Sequence, residues 1–422
     1  MMLAAGFLGG AASRLLPASL PFRFFGSAAA FHVFMWPVLL LGAEQLTSFR
    51  GGPGPVLAGV HLLTLGVLTT TAMGASVQLL PVVTRRALGA IWPIKLAFWL
   101  TVPGMVVLFV AMYRLEVAII IAAAIVTGLG LLLFAALLAD NLRRATSLPV
   151  VAAYGWAALG SLLLLVILGL LLAVDYKLGV LTDHGAIALA HLLLGGVGFM
   201  GLLALGFSHV LVPMFTLASS TPKVPSWVGF ALAIAAVLLG SAGALFDNRL
   251  VLSAAALFGI AAAAVHLWLM HHALARGMRK RLGLSFLLIR SSWAMLLAVP
   301  SVGLLALYGL LGRNGATLFG FVLFGGWLLT FLLGILQRIL PFLASMHASK
   351  AAGAPPRISE LAASTPLRLH ATCHLLALML IAAAIIADSA VLARVGCTIG
   401  SVGALAYAAF TADVSCRIFL PR

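Results

Sequence analysis

Histidines are the residues of this chain that could do chemistry, because eleven of them occur in a sequence that is otherwise strongly apolar. A histidine inside an apolar segment is costly and usually has a partner, a cavity or a metal. His61 and His191 are each predicted to lie about seven residues, or 10 Å, from the outer end of their segments. Two neutral imidazoles at one depth suit the two axial positions of a haem, or each can donate to a neighbouring carbonyl. The residues alone leave both alternatives open.

A second group combines His32 with the pair in the stretch HATCH, His370 and His374. Residues four apart lie on the same helix face, which suits chelation of one metal ion or a ligand with its hydrogen-bonding partner. We expect this group toward the cytoplasmic side of the membrane. Ordinary polar packing is the alternative. Cys373 points about 100° away from that face and is not counted as a ligand.

A repeated frame of small and helix-bending residues surrounds His61. It consists of Gly66, Gly74, the polar Gln78 and Pro81. The frame returns at Gly198, Gly206, His209 and Pro213, and again at Gly326, Gly334, Gln337 and Pro341. Such glycines permit close approach of a neighbouring helix or of a flat ligand. Beside a bis-imidazole haem, Gly66, Gly74 and Gly198 would clear room for the porphyrin.

The segments that must position these residues cross a membrane. A chain of 422 residues with 64% hydrophobic and 8% charged residues cannot cover itself with a polar surface. The net charge of +16 comes from scattered clusters, with no nucleic-acid-binding module. Apolar windows predict twelve spans, at 26–48, 54–80, 88–112, 116–139, 150–173, 184–212, 225–246, 249–274, 290–312, 316–344, 366–388 and 392–416. The predicted solvent of this protein is therefore the lipid bilayer.

Basic residues alternate from one connection to the next. The cluster Arg276–Arg281 and the pair Arg143 and Arg144 fall on one side, whereas Lys177 and Arg313 represent the sparser other side. Positive connections stay in the cytoplasm, so both termini are predicted to be cytoplasmic in a bacterial-type inner membrane. Ser345–Thr365 is predicted to be a cytoplasmic loop.

The repeated frame falls on the second, sixth and tenth spans. The predicted fold is therefore all-α and integral to the membrane, with twelve helices in three four-helix blocks related by a pseudo-threefold axis. We expect one polytopic domain over 1–422, with blocks at approximately 26–145, 146–285 and 286–422.

The frame with His61 resembles subunit I of the heme-copper oxidase superfamily, particularly its C-type branch. The chain is also similar to the NnrS membrane haem proteins in the stretches FRFFGSAAAF, Phe22–Phe31, and HLLLGGVGFMGLLALG, His191–Gly206. The resemblance implies a non-covalent, b-type haem with His61 as an axial ligand, since oxidases place a haem ligand on the second helix. It also implies copper as a second cofactor, because His191 lies two positions before the register of an oxidase copper ligand.

The chain departs from the oxidase pattern on two spans, the tenth and the seventh. Phe319 and Phe321 stand where oxidases keep paired haem histidines, and the seventh span lacks the His-His pair of their copper site. The sequence thus favours an oxidoreductase-like haem protein without a complete binuclear centre. It would bind a diatomic gas such as nitric oxide or oxygen, or exchange electrons with a redox partner. A metal-free transporter or structural bundle is the alternative.

Acidic residues give a further expectation. All nine, Glu44, Glu116, Asp140, Asp175, Asp183, Asp247, Glu360, Asp388 and Asp413, map to span ends or connections. A proton pump needs a carboxylate or similar group inside the membrane to relay protons. The sequence therefore predicts no pumping.

Overall fold

The structure is a computed structural model that describes residues 16–83, 90–145, 148–352 and 358–419. Throughout these ranges the chain forms helices and no strand. Twelve of the helices are long and apolar enough to cross a membrane. The all-α, twelve-helix prediction is confirmed. Of the predicted topology signals, Arg14, Arg85, Arg86, Arg357 and Arg422 lie outside the described residues.

The twelve spans are α1 Ser19–Leu41, α2 Pro55–Pro81, α3 Trp92–Arg114, α4 Val117–Arg143, α5 Pro149–Leu178, α6 His184–Thr216, α7 Lys223–Leu245, α8 Arg249–Arg276, α9 Leu284–Leu307, α10 Gly315–His347, α11 Ser364–Ala387 and α12 Ala390–Phe419. The helix pairs α3 and α4, α7 and α8, and α11 and α12 pack as hairpins, and α12 also packs against α1. That last contact closes the bundle into a ring.

Several predicted boundaries were wrong, among them both ends of the ninth span, which is Leu284–Leu307 and not 290–312. The first span begins at Ser19 and not at residue 26, because Arg23 is accommodated within the helix. Its guanidinium lies 5.4 Å from the centre of the Phe98 ring and its Nε–H donates to the carbonyl of Ser19. The predicted loop after Ser345 is also wrong at its start, since helix continues to Ala352.

The three helices that carry the repeated frame, α2, α6 and α10, each contain one π-helical segment. The three segments are Leu62–Thr69 in α2, Leu194–Gly201 in α6 and Val322–Leu329 in α10. Each begins four residues before Gly66, Gly198 or Gly326, so the sequence frame and the backbone irregularity share one register. The three segments contact one another at the centre of the bundle. π-Helical turns are rare and occur mainly at functional sites.

The frame glycines pack against the first helix of their own four-helix block. A Cβ on Gly74, Gly206 or Gly334 would lie 2.8 Å from Phe24, 2.7 Å from Tyr154 or 3.0 Å from Ile289. These partners are on α1, α5 and α9, in the order expected for a triplicated unit. The glycines therefore set the distance between the first and second helices of each block.

The turns between the third and fourth helices of the blocks also correspond. Leu115, Asp247 and Asp388 each adopt the left-handed conformation, with φ of 60°, 45° and 50°. They lie in the α3–α4, α7–α8 and α11–α12 connections. This backbone feature is uncommon for residues other than glycine, so its threefold recurrence supports the repeated architecture.

Candidate functional site

The outer histidine pair, defined as His61 and His191, lies near the beginning of α2 and α6. His61 immediately precedes one π segment, and His191 is three residues before the next. His61 Nδ1 lies 3.0 Å from the carbonyl oxygen of Leu57, and His191 Nδ1 lies 3.1 Å from that of Leu165. A carbonyl can only accept, so each Nδ1 carries the proton. Each Nε2 is left with a lone pair.

Space remains around the outer pair. Both side chains are only half-buried. Among the described residues neither Nε2 has a hydrogen-bond partner. Neutral imidazoles that are oriented through Nδ1 and unbonded at Nε2 are the usual form of histidine ligands. The donor set fits two axial haem positions.

The glycines predicted to clear room for a porphyrin have side-chain neighbours instead. A Cβ on Gly66 would lie 2.9 Å from the Phe31 ring, and one on Gly198 would lie 2.7 Å from Ser161 Oγ. A ring carbon of His191 would lie 2.9 Å from a Cβ on Gly169. Gly169 of α5 is therefore the glycine that makes room for a histidine of the outer pair, and the sequence frame did not include it. A porphyrin-facing role for Gly66, Gly74 and Gly198 stays a prediction.

The midplane cluster, defined as His32, His370, His374 and Tyr407, is brought together from α1, α11 and α12. The ring centres of His32 and His370 are 6.0 Å apart, those of His370 and His374 5.6 Å, and those of His370 and Tyr407 5.0 Å. All four side chains are at most 3% exposed. The predicted grouping of the three histidines is therefore present.

The histidines of this cluster lie further from the ends of their helices than the predicted spans imply. His32 is 13 residues from Ser19 and nine from Leu41, and His374 is ten from Ser364 and 13 from Ala387. The histidines of the cluster thus lie close to the middle of α1 and α11. The displaced start of α1 accounts for the position of His32, which is about two turns further from the start of its helix than the predicted span implies.

Buried hydrogen-bonding atoms remain unpaired in the midplane cluster. They are His32 Nδ1, His370 Nε2, His374 Nδ1 and the Tyr407 hydroxyl. Within the described ranges, no group of three or more His, Cys, Asp or Glu side chains is arranged to hold a metal ion. The prediction that all three histidines bind one metal therefore stays a prediction.

A third histidine cluster was not singled out from the sequence. His209 of α6 and His266 of α8 have ring centres 6.0 Å apart, and Tyr154 of α5 is 5.7 Å from His209. His209 Nδ1 lies 2.9 Å from Thr221 Oγ1, just beyond α6. Nothing in the sequence indicated that His266 lies beside His209, apart from its being a histidine in an apolar span. Only the rotation of α8 about its axis brings it to α6.

The packing of α10 shows what Phe319 and Phe321 contact at the two positions that depart from the oxidase pattern. Phe319 lies against α9, with its ring 3.1 Å from a Cβ placed on Gly303, and the Phe321 ring lies 3.3 Å from one on Gly325. These aromatic rings fill space with carbon and offer no lone pair to a metal.

Comparisons with known proteins identify the fold. No protein-family model matches the sequence, and no curated protein matches it either. The chain is similar to a solved cryo-EM structure of a heme-copper terminal oxidase dimer, with a TM-score of 0.66 and 12% sequence identity. The similarity covers 96% of this chain and 85% of that chain. The fold is therefore heme-copper oxidase subunit I-like, a multi-pass bundle of twelve helices in contact with lipid.

Proposed function

We propose that this protein is a membrane haem protein in which His61 and His191 are the two axial ligands of one non-covalent, b-type haem. The observation that carries the proposal is the hydrogen bonding of the outer pair. Both imidazoles donate through Nδ1 to a backbone carbonyl and leave Nε2 free in a half-buried space. The heme-copper oxidase fold supports the same class of cofactor.

A haem held in this way supplies one-electron redox chemistry and affinity for diatomic gases. Two axial imidazoles fill both axial positions, so electron exchange with a redox partner is the activity that follows directly. Nitric oxide or oxygen would need one of the two imidazoles to move aside. His191 is the candidate for that movement, because it is anchored to the carbonyl of Leu165 on another helix, α5, whereas His61 is anchored to Leu57 on its own helix.

The similarity of Phe22–Phe31 and His191–Gly206 to NnrS chains supports nitric oxide as the gas. Phe319 and Phe321 support an oxidoreductase-like protein without a complete binuclear centre, since neither position offers a metal ligand. Copper, the second cofactor, is placed in this proposal at His32, His370 and His374. The proposed domain organisation is one membrane domain of three blocks, 26–145, 146–285 and 286–422.

The proposed location is a bacterial-type inner membrane with both termini in the cytoplasm. This orientation rests on the predominance of arginine at connections such as Arg143 and Arg144 over the opposite side. Reporter fusions after Lys177 and after Arg313 should both give a periplasmic signal. A cytoplasmic signal at either position would overturn the orientation.

The test of the haem proposal is an absorption spectrum of the purified protein together with metal analysis. We expect a Soret band typical of a six-coordinate, low-spin haem. His61→Ala and His191→Ala should each give a high-spin spectrum or lose the haem, whereas His271→Ala, at an exposed position on α8, should change nothing. Unchanged spectra in both alanine variants would remove the outer pair from the site. A colourless wild-type protein would favour the metal-free transporter or structural bundle.

A further inference from the structure

The protonation of the midplane cluster can be deduced from its hydrogen bonds. His370 Nδ1 lies 3.0 Å from the carbonyl oxygen of Gly403, which can only accept. Nδ1 therefore carries the proton of the neutral ring, and the unpaired Nε2 has a lone pair. His370 is thus oriented by α12 and has a free ligand atom.

His374 also has an unpaired lone pair, but on its other ring nitrogen. Its Nε2 lies 2.9 Å from Thr330 Oγ1, and the Thr330 hydroxyl already donates its one proton to the carbonyl of Gly325. Thr330 can therefore only accept from His374, so Nε2 carries the proton and the unpaired Nδ1 has the lone pair. Two lone pairs, from residues four apart on α11, are thus buried without a partner.

The unpaired nitrogen of His32 carries a proton, unlike those of His370 and His374. The Trp36 indole N–H donates to His32 Nε2 at 3.3 Å, and an indole nitrogen cannot accept. The proton of His32 is therefore on Nδ1, which is buried and unpaired. Trp36 is held in place by α12, since a Cβ on Gly400 would lie 2.4 Å from its ring. His32 thus presents a hydrogen-bond donor to the cluster and not a lone pair.

We propose that His370 Nε2 and His374 Nδ1 bind one monovalent copper ion, and that His32 Nδ1–H donates a hydrogen bond to the small molecule that this ion takes up. The proposal rests on the copper part of the proposed function and is independent of the haem. It divides three histidines into two ligands and one positioning residue. It also agrees with the finding that no three acidic, thiol or imidazole groups among the described residues form a metal site.

The charge of the ion follows from the surroundings. Every acidic residue described lies at a helix end or in a connection, so no carboxylate is available near the midplane to neutralise a cation. The free-energy cost of burying an ion rises steeply with the magnitude of its charge. A monovalent ion held by neutral imidazoles is therefore less costly to bury than a divalent one. Imidazole is a suitable ligand for copper. Tyr407, whose hydroxyl is also unpaired, can fill a third position.

Water alone could also satisfy the unpaired atoms of the cluster. One molecule could accept from His32 Nδ1–H and donate to both lone pairs, and buried water typically makes about three such bonds. The experiment therefore has to separate a metal site from a hydration site.

The purified protein is loaded with copper under anaerobic, reducing conditions, and the copper retained after passage over a chelator is counted per chain. We expect one copper in the wild type and none in His370→Ala or His374→Ala, with the Soret band unchanged. His271→Ala is the control and should retain its copper. Retention of copper by both variants, or no copper in the wild type, which would indicate water only, would overturn the proposal.

The role of His32 is tested on the same samples with carbon monoxide as the probe, followed by its infrared stretching band. His32→Ala should retain copper but shift the band of copper-bound carbon monoxide, because a hydrogen bond to the bound molecule is lost. Loss of copper in His32→Ala, or an unshifted band, would overturn the division of roles. If the alanine variants fail to fold, X-ray absorption of the wild type decides, since the proposal requires two imidazole ligands and not three.

Discussion

Thr330 accepts a hydrogen bond from His374 Nε2 at 2.9 Å while donating to the carbonyl of Gly325, five residues earlier on its own helix. The spacing of five residues belongs to the π segment Val322–Leu329. The central backbone irregularity of α10 and the midplane cluster are therefore joined by one hydroxyl.

The first prediction removes that hydroxyl. Thr330→Val keeps the shape of the side chain but leaves His374 Nε2–H without an acceptor. Loss of such a supporting partner typically weakens metal binding by about 10–100-fold, and we expect that loss in copper affinity measured by chelator competition.

Matched variants separate this effect from general damage to the helix. Thr330→Ser should retain the affinity. Thr70 occupies the same register of α2 and donates to the carbonyl of Leu65, but it has no histidine partner. Thr70→Val should therefore leave copper binding unchanged. Equal loss in the Thr70 and Thr330 variants would show that the hydroxyl acts on the helix and not on His374.

The second prediction concerns the anchor of His32. Gly400→Ala places a methyl group 2.4 Å from the buried Trp36 ring, which must shift and weaken its hydrogen bond to His32. Overpacking of this kind typically costs about 1–3 kcal/mol, so the melting temperature should fall. The carbon monoxide band should shift in the same direction as in His32→Ala.

Gly26→Ala is the control for that substitution, because nothing lies within 4 Å of a Cβ at this position of α1. Alanine is the better helix former by about 1 kcal/mol, so this variant should be slightly stabilised. A Gly400→Ala protein as stable as the wild type, with an unshifted band, would contradict the proposed anchoring.

The third prediction concerns Asp388 in the connection between α11 and α12. The hydrogen bond from Thr47 Oγ1, at 2.7 Å, and the charge of Arg313 hold the pKa of the Asp388 carboxyl below its ordinary value. A lowered pKa contributes stability that is present above the pKa of the unfolded chain, near 3.9, and is lost as pH falls through the folded-state pKa. Asp388→Asn should therefore melt at a lower temperature than the wild type at neutral pH, and the difference should disappear in acid.

Asparagine suits this test because it tolerates the left-handed conformation of residue 388. Asp247 supplies the control, since it has the same conformation between α7 and α8 and no ion pair within the described part of the chain. Asp247→Asn should have little effect at any pH. A pH-independent difference between Asp388→Asn and the wild type would show that its charge is not involved.

The fourth prediction concerns turnover. With the acidic residues at the membrane surfaces and both axial positions of the proposed haem filled, we expect gas binding or slow one-electron chemistry without proton pumping. The measurement uses sealed vesicles with an artificial electron donor and either oxygen or nitric oxide. Rapid gas consumption with acidification of the outer medium would refute this expectation.

Hydropathy was sufficient to predict the twelve spans, because a helix that crosses lipid needs a long apolar run whatever its neighbours are. The charge of Arg23 misled the assignment of α1, since its guanidinium is covered by the Phe98 ring on α3. A contact with another helix is not visible in a local window of sequence.

The histidine clusters show where sequence reasoning ends. The four-residue spacing of His370 and His374 predicted their common face, because it is a property of one helix. The positions of His32 and Tyr407 beside them, and of His266 beside His209, depend on how separate helices rotate about their axes. The protonation of each ring depends further on Trp36, Thr330 and Gly403, which no spacing connects to it.

The π segments of α2, α6 and α10 each hold more residues per turn than an α-helix does. Deleting one residue from Leu62–Thr69 would let that wide turn close as an ordinary α-helix, with the residues after it still in register. A deletion after Thr69, where the helix is α-helical, would instead turn everything beyond it by about 100°. Gly74 would then leave Phe24, and Gln78 would rotate off its buried face. The same single-codon deletion is therefore tolerated within these three stretches and disruptive just beyond them.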